Sequence, residues 1–287
     1  MNWNTSMPTE SIQFAARATV SPSVGRRRVE SLTVWAGSPG VLLIHGFGGD
    51  LAEVRPLAAA FIREGYSVHA PLLPGHGALP DALAGVRWQQ WAETVVQGFA
   101  LLHQHCSEVA VVGFSMGSLL ALLLAAHLPV ARLVALAPAL TLRGQFLVNL
   151  SSIARYAISW YYPLARADFK DPALRALIRN RVPDADLDDP VVCEQLRRTV
   201  RMPLTAIHQL TLLQRSARRA LPRITAPTLV VQGRDDATVD PRSAGQVARH
   251  IGAADCRLIW MDGYGHQLLL GEGGERVAHM IVAWLKG

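Results

Sequence analysis

Three residues far apart in the chain have types that could together carry out acyl transfer: Ser115, Asp236 and His266. A serine hydroxyl is a poor nucleophile at neutral pH. It needs a general base within hydrogen-bond reach, and that base needs an acid to orient it. Ser115 lies in Gly113-Phe114-Ser115-Met116-Gly117, with a β-rich run (Val109 to Val112) before it and a helical run (Ser118 to His127) after it. The pentapeptide alone is a weak signal. Between a strand and a helix it describes a sharp turn that holds a hydroxyl out over the end of a sheet. The flanking glycines suit a strained crossing where side chains would crowd. The bland alternative is a buried strand-turn-helix with an incidental serine.

A base and an acid are expected on loops after the last strands, acid first, and both are present. His266 follows a strand ending near Met261, in Asp262-Gly263-Tyr264-Gly265-His266. The strand Thr228 to Gln232 leads to Gly233-Arg234-Asp235-Asp236-Ala237-Thr238-Val239. In a loop of form G-x-x-D-x-x-V the acid is Asp236. Asp235, Asp240 and Asp262 lie close by, Asp235 as a loop or solvent residue and Asp262 as a turn residue. Acyl transfer also needs donors for the developing oxyanion. The Met116 N–H, at a helix start, is one candidate. The second is the Phe47 N–H in His45-Gly46-Phe47-Gly48-Gly49, with the Phe47 ring expected at the pocket wall. A phosphate-binding role for this glycine-rich turn is weaker, because no G-K-[ST] follows. His45 reads as a brace for the loop rather than a second base. His76 reads as structural, or as holding its loop near the pocket mouth. His69, His103, His105 and His127 have no metal-ligand spacing with one another.

The elements that must position these residues alternate. Strands are predicted over Arg28 to Ala36, Val41 to Ile44, Tyr66 to Ala70, Val109 to Val112 and Arg132 to Ala137. Helices are predicted over Asp50 to Glu64, Trp88 to Gln104 and the run after Ser115, with Asp50 as N-cap and Gly65 as stop. Alternation resumes with the strand Thr228 to Gln232, the helix Arg242 to Ile251, the strand Cys256 to Trp260 and the helix Gly274 to Leu285. This pattern predicts an α/β fold with a mostly parallel central sheet and flanking helices. It breaks over Thr141 to Arg223, where helical stretches occur without a convincing strand. The expected organisation is a core of residues 1–140 and 224–287 with a helical cap of residues 141–223. Trp160-Tyr161-Tyr162 in that cap fits packing or a pocket wall equally well. Trp88 and Trp91, on one helix face, fit core packing.

Composition narrows the alternatives. The 287 residues are 50% hydrophobic and 17% charged, which permits a sizeable core and argues against general disorder. The net charge of +6 could mean contact with nucleic acid or membrane. The basic residues are mostly dispersed, clustering only at Arg26-Arg27-Arg28 and at Arg215, Arg218, Arg219 and Arg223, with no recognition motif; a solvated surface is expected, and no nucleic-acid partner. No apolar run reaches membrane-spanning length, so no stable membrane insertion is expected. The N-terminus does not read as a secretory signal. Cys106, Cys193 and Cys256 show neither metal spacing nor a disulfide framework, which suits a reducing compartment, and a cytoplasmic location is expected. Oligomeric state is not indicated.

His45-Gly46-Phe47, Pro74-Gly75-His76-Gly77, the pentapeptide around Ser115, the stretch from Gln232 to Pro241 and Gly265-His266 together resemble the α/β-hydrolase superfamily. Within it the chain is most similar to the bacterial carboxylesterase and monoacylglycerol lipase branch. The likeness runs from about Val41 to the C-terminus and is thin between Thr141 and Arg223. It implies a cap over the serine, ester hydrolysis through an acyl-enzyme, and no cofactor or metal. By carry-over, Ser115 is the nucleophile, Asp236 the acid, His266 the base, and Phe47 and Met116 the oxyanion pair. Two departures stand out: Ser118 where many relatives have a second glycine, and Pro71-Leu72-Leu73-Pro74 where an arginine or aspartate is common before P-G-H-G. The expected substrate is a short- to medium-chain acyl ester or a monoacylglycerol. The same triad would also serve an amide, thioester, lactone or carbon–carbon bond. A ligand-binding receptor with slow turnover is the reading of another class. A haloalkane or epoxide substrate would call for a carboxylate at position 115.

Overall fold

A computed structural model describes residues 30–77, 80–181, 185–271 and 273–287. The expectation of loose order at the N-terminus, and the Arg26-Arg27-Arg28 cluster, lie outside the described residues. In chain order the elements are β1 (Leu32–Val34), β2 (Gly40–Ile44), α1 (Arg55–Arg63), β3 (Ser67–Ala70), α2 (Trp88–His103), β4 (Val109–Phe114), α3 (Met116–Ala125) and β5 (Leu133–Leu136). Then follow α4 (Gln145–Ala154), β6 (Trp160–Tyr161), α5 (Pro172–Arg181), α6 (Pro190–Thr199), β7 (Met202–Pro203) and α7 (Leu204–Ala220). The chain closes with β8 (Thr228–Gly233), α8 (Arg242–His250), β9 (Cys256–Met261) and α9 (Gly274–Lys286).

The main sheet runs β1-β3-β2-β4-β5-β8-β9, with only β1 antiparallel to its neighbour. β2, β4, β5 and β8 are buried along their whole length. That is why they read as unbroken apolar runs: a parallel strand covered on both faces has no solvent side to mark. Alternate residues feed two separate cores, because successive side chains leave a strand on opposite faces. Leu42, Ile44, Val111, Leu133 and Val230 join α2, α3, α7 and α8 on one side. Val41, Leu43, Val112, Val134 and Val231 join α1 and α9 on the other.

The start of the first long helix differs from expectation. Asp50 does cap, accepting from the Ala52 N–H at 2.7 Å, but what it caps is a single 3-10 turn, Leu51–Glu53. The α-helix proper begins after it, with Pro56 in its first turn.

The segment between β5 and β8 also holds two short strands that the sequence pattern does not show. β6 and β7 are two residues each, paired antiparallel, and the Leu204 N–H donates to Ser159 O at 3.0 Å beside them. Pairs this short carry no readable alternation, and Pro203 argues against a strand. Between these strands, Phe169, Ile178, Leu187 and Cys193 form a small core of their own. α7 instead places Ala206, Leu210, Leu213 and Ala217 in the main core.

Candidate active site

The turn between β4 and α3 holds Ser115 at φ 55°, ψ −115°, a region L-residues rarely occupy. Such strain costs about 1–3 kcal/mol and must be over-determined by its surroundings. Here the Ser115 N–H donates to Leu136 O at 2.8 Å. Two glycines permit the crossing. A Cβ at Gly113 would overlap the Gly117 carbonyl, and one at Gly117 would overlap the carbonyl oxygens of Ile44 and His45. Ser118 explains one departure noted above: its hydroxyl lies 2.7 Å from Gly113 O and 2.8 Å from Leu136 O, tying α3 to β4 and β5 beneath the turn.

Two loops at the same end of the sheet meet this serine. The Asp235 N–H donates to Tyr264 O at 3.0 Å, and a Cβ at Gly233 would overlap Tyr264 O and Gly265 O. The loops after β8 and β9 therefore lie against each other. This sets His266 Nδ1 2.8 Å from Asp236 Oδ2 and His266 Nε2 3.1 Å from Ser115 Oγ. A carboxylate only accepts, so Nδ1 carries the proton and Nε2 is free to accept from the serine hydroxyl. The Phe114 ring lies 5.1 Å from the imidazole, centroid to centroid.

Asp236 is fully buried. Its Oδ1 accepts the N–H groups of Thr238 and Val239, both at 2.8 Å, and its Oδ2 also accepts from Gln232 Nε2 at 2.9 Å. Burial works to raise its pKa. The hydrogen bond and charge of His266, with the two backbone donors, outweigh burial and hold the carboxyl below its ordinary value. The neighbouring acids are elsewhere engaged or exposed. Asp235 is exposed, Asp240 pairs with Arg242, and Asp262 pairs with Arg234 at 2.6 Å.

Phe47 and Met116 line the same cavity as Ser115 and His266. The Phe47 ring is held edge-on to Trp91 and His76, with centroids 5.9 and 6.2 Å away. His45 is buried and braces this loop: the Leu73 N–H donates to its Nε2 at 3.1 Å, and its Nδ1 donates to Gly46 O at 3.0 Å. His76 Nδ1 and Trp91 Nε1 both donate to Pro74 O at 3.0 Å, fixing the Pro-Gly-His-Gly loop beside it.

Two contributors are missed by sequence reasoning. Gln232 is one. Glu53 is the other, a buried carboxylate whose Oε2 accepts the Gly46 N–H at 2.8 Å. Its carboxylate fills the space where a Gly49 Cβ would stand. The available signal was an acidic residue between Leu51, Val54 and Leu57 on an otherwise apolar face.

The cavity has a volume of about 370 Å³. Its walls are mainly apolar, built from Leu142, Pro163, Leu164, Leu196, Met202 and Leu210 with Phe47 and Met116. Trp160, Tyr161 and Tyr162 are not among its lining residues. Trp160 lies under the Arg201 guanidinium, 4.1 Å from its ring centroid, and the two tyrosines are exposed. Among the described residues, no group of three His, Cys, Asp or Glu is arranged to hold a metal ion.

Comparison with known proteins identifies the family. The chain is 28% identical over 233 residues to the thermostable monoacylglycerol lipase of Bacillus sp. (strain H-257), covering 78% of this chain and 80% of that protein. It is 25% identical to the carboxylesterase of Bacillus subtilis (strain 168), covering 88% and 95%. Among solved structures, a metagenome-derived lipolytic enzyme superposes with a TM-score of 0.74 at 24% identity, covering 90% of this chain and 97% of the other. That likeness shows the fold. A family model described as serine aminopeptidase, S33, matches residues 39–273. The chain therefore belongs to this family of serine hydrolases, as an enzyme with the α/β-hydrolase fold.

Proposed function

We propose that this enzyme cleaves carboxylic esters of short- to medium-chain acids, or monoacylglycerols, through Ser115, His266 and Asp236. The observation that carries the reading is the hydrogen-bonded chain from Ser115 Oγ through both nitrogens of His266 to Asp236. In the first half-reaction Ser115 Oγ attacks the ester carbonyl carbon while His266 Nε2 takes its proton. Asp236 stabilises the imidazolium that forms. The tetrahedral oxyanion is received by the N–H groups of Phe47 and Met116, the latter at the N-terminus of α3, where the helix dipole favours negative charge. The intermediate collapses as His266 returns the proton to the leaving alcohol, and the acyl group remains on Ser115. Water, deprotonated by the same imidazole, then releases the acid and restores the serine.

Segment 141–223 is proposed as the cap. In support, Leu142, Leu164, Leu196 and Met202 wall the cavity, and Arg143 Nε donates to Asp236 O at 2.7 Å. The cavity volume lies near the small end for ligand pockets, which with its apolar lining favours a single acyl chain. Cys106, Cys193 and Cys256 are all free thiols, which fits a reducing compartment; the cytoplasm is the proposed location. An acyl-length series of chromogenic esters from acetate to palmitate, with monoacylglycerols, tests the reading. Turnover should peak at short to medium chains and fall on the order of 10⁴-fold or more in Ser115→Ala. Wild-type hydrolysis by that variant would refute it.

A further inference from the structure

Residues 141–143 follow the exit from β5 and run antiparallel along the loop that carries Asp236. Leu142 bridges Val239. On either side of that bridge the Arg143 N–H donates to Thr238 O and the Asp240 N–H donates to Thr141 O, both at 2.9 Å. This short run is itself anchored. The Thr141 N–H donates to Ser243 Oγ of α8, and the same hydroxyl donates to Thr141 O, both at 3.0 Å. Arg218 of α7 donates to Leu140 O at 2.8 Å. The acid loop therefore lies against a segment that two helices hold in place.

Arg143 adds a side-chain bond to this ladder. An exposed arginine ordinarily holds its guanidinium in water. This one turns its Nε–H onto the main-chain oxygen of Asp236 itself, at 2.7 Å, a length typical of a charge-assisted bond. Asp236 is thereby gripped twice. Its carboxylate accepts from Gln232, Thr238 and Val239, which belong to the same strand and loop and move with it. Arg143 stands 93 residues away in the chain, so its bond fixes where the loop as a whole lies. At the far end of that loop the hydrogen bond from Arg242 holds the Asp240 carboxyl below its ordinary value, and the charge of Arg143 adds to the effect. Placement matters here, because a shift of about 1 Å in a catalytic group can cost about a hundredfold in rate.

We propose that Arg143 is a positioning residue for the reaction: by holding Asp236 O it sets the acid loop so that Asp236 Oδ2 meets His266 Nδ1. Arg143 is not among the residues lining the cavity and acts only through Asp236. The proposal rests on the ester-hydrolysis reading. It adds that the start of segment 141–223 belongs to the framework of the triad as well as to the cover over it.

Two substitutions separate the hydrogen bond from the bulk of the side chain. Methionine carries a methyl group at the same distance along the side chain as the arginine Nε, and glutamine carries an amide nitrogen there. On a water-soluble short-chain ester, Arg143→Met should lower kcat about tenfold or more with KM nearly unchanged, and Arg143→Gln should recover most of that loss. Proton NMR gives a second readout that needs no substrate. The His266 Nδ1–H resonance, identified by its loss in His266→Ala, should broaden or vanish in Arg143→Met and persist in Arg143→Gln. Wild-type kcat in Arg143→Met, equal defects in the two variants, or a His266 resonance untouched by either substitution would overturn the proposal. Should Ser115→Ala keep hydrolysing esters, the reading of the reaction would fall, and the resonance would still decide the role of Arg143.

Discussion

Replacing Asp236 by Asn tests the hydrogen-bond logic of the site with the smallest change of shape. The amide can be seated in one way only. Its oxygen must face the N–H groups of Thr238 and Val239, because both are donors fixed at 2.8 Å from Oδ1. Its NH₂ group then replaces Oδ2 and confronts two further donors, His266 Nδ1–H and Gln232 Nε2. Gln232 can relieve its part by turning over, since its Oε1 has no hydrogen-bond partner among the described residues, at the expense of its bond to Gly233 O. His266 can relieve its part only by moving its proton from Nδ1 to Nε2. That tautomer points a donor at Ser115 Oγ and can no longer take its proton. The expected result is a fall in kcat of about 10⁴-fold, or about 5.5 kcal/mol of transition-state stabilisation, with KM nearly unchanged. Steady-state kinetics on a soluble chromogenic ester measures this. An Asn variant retaining more than about a tenth of wild-type kcat would refute the reasoning. Stability provides an independent check. The folded carboxyl titrates below its unfolded value, so its stabilisation is present above the unfolded value and is lost as pH falls through the folded one. Thermal melts of the two proteins should therefore differ at neutral pH and converge in acid.

Glu53→Ala frees the Gly46 N–H and opens space beside the loop that carries Phe47, the proposed oxyanion donor, so kcat should fall on the order of tenfold or more with KM little changed. Glu53→Gln, which keeps an acceptor, should restore most of the loss, and equal defects in both variants would argue against a positioning role. Gly117→Ala forces a Cβ into the carbonyls of Ile44 and His45, and should lower stability by at least about 3 kcal/mol in urea unfolding. An unchanged midpoint would show that the crossing of β2 and α3 is looser than described. Ser118→Ala removes the hydroxyl between Gly113 O and Leu136 O and should cost about 1–2 kcal/mol by the same measurement, with the Ser115 turn retained.

How much was legible in the sequence depends on whether a signal was local. Val41 to Ile44 and Thr228 to Gln232 could be read because strands buried on both faces leave unbroken apolar runs. Ser115, Asp236 and His266 could be named because each sits in a short loop whose glycines have a steric reason, and the structure brings the three into one hydrogen-bonded chain. Asp236 could not be separated from Asp235 by chemistry alone. What separates them is burial, complete for one and absent for the other. Glu53 and Gln232 were invisible because their partners, Gly46 and Asp236, are chosen by tertiary contact. β6 and β7 are too short to show a period, and the exposure of Trp160-Tyr161-Tyr162 could not be deduced from aromatic content. The exposure of Phe146, Leu147 and Ile153 on α4 was hidden for a related reason. Periodicity shows that a helix has an apolar side, and packing decides which way that side turns.

The central claim is that Ser115 is the nucleophile activated by His266. It is tested most directly by reacting the protein with a fluorophosphonate and locating the adduct by mass spectrometry. The account predicts one adduct, on Ser115, formed at a rate that collapses in His266→Ala. Modification at another residue, or undiminished labelling of Ser115 without His266, would contradict it.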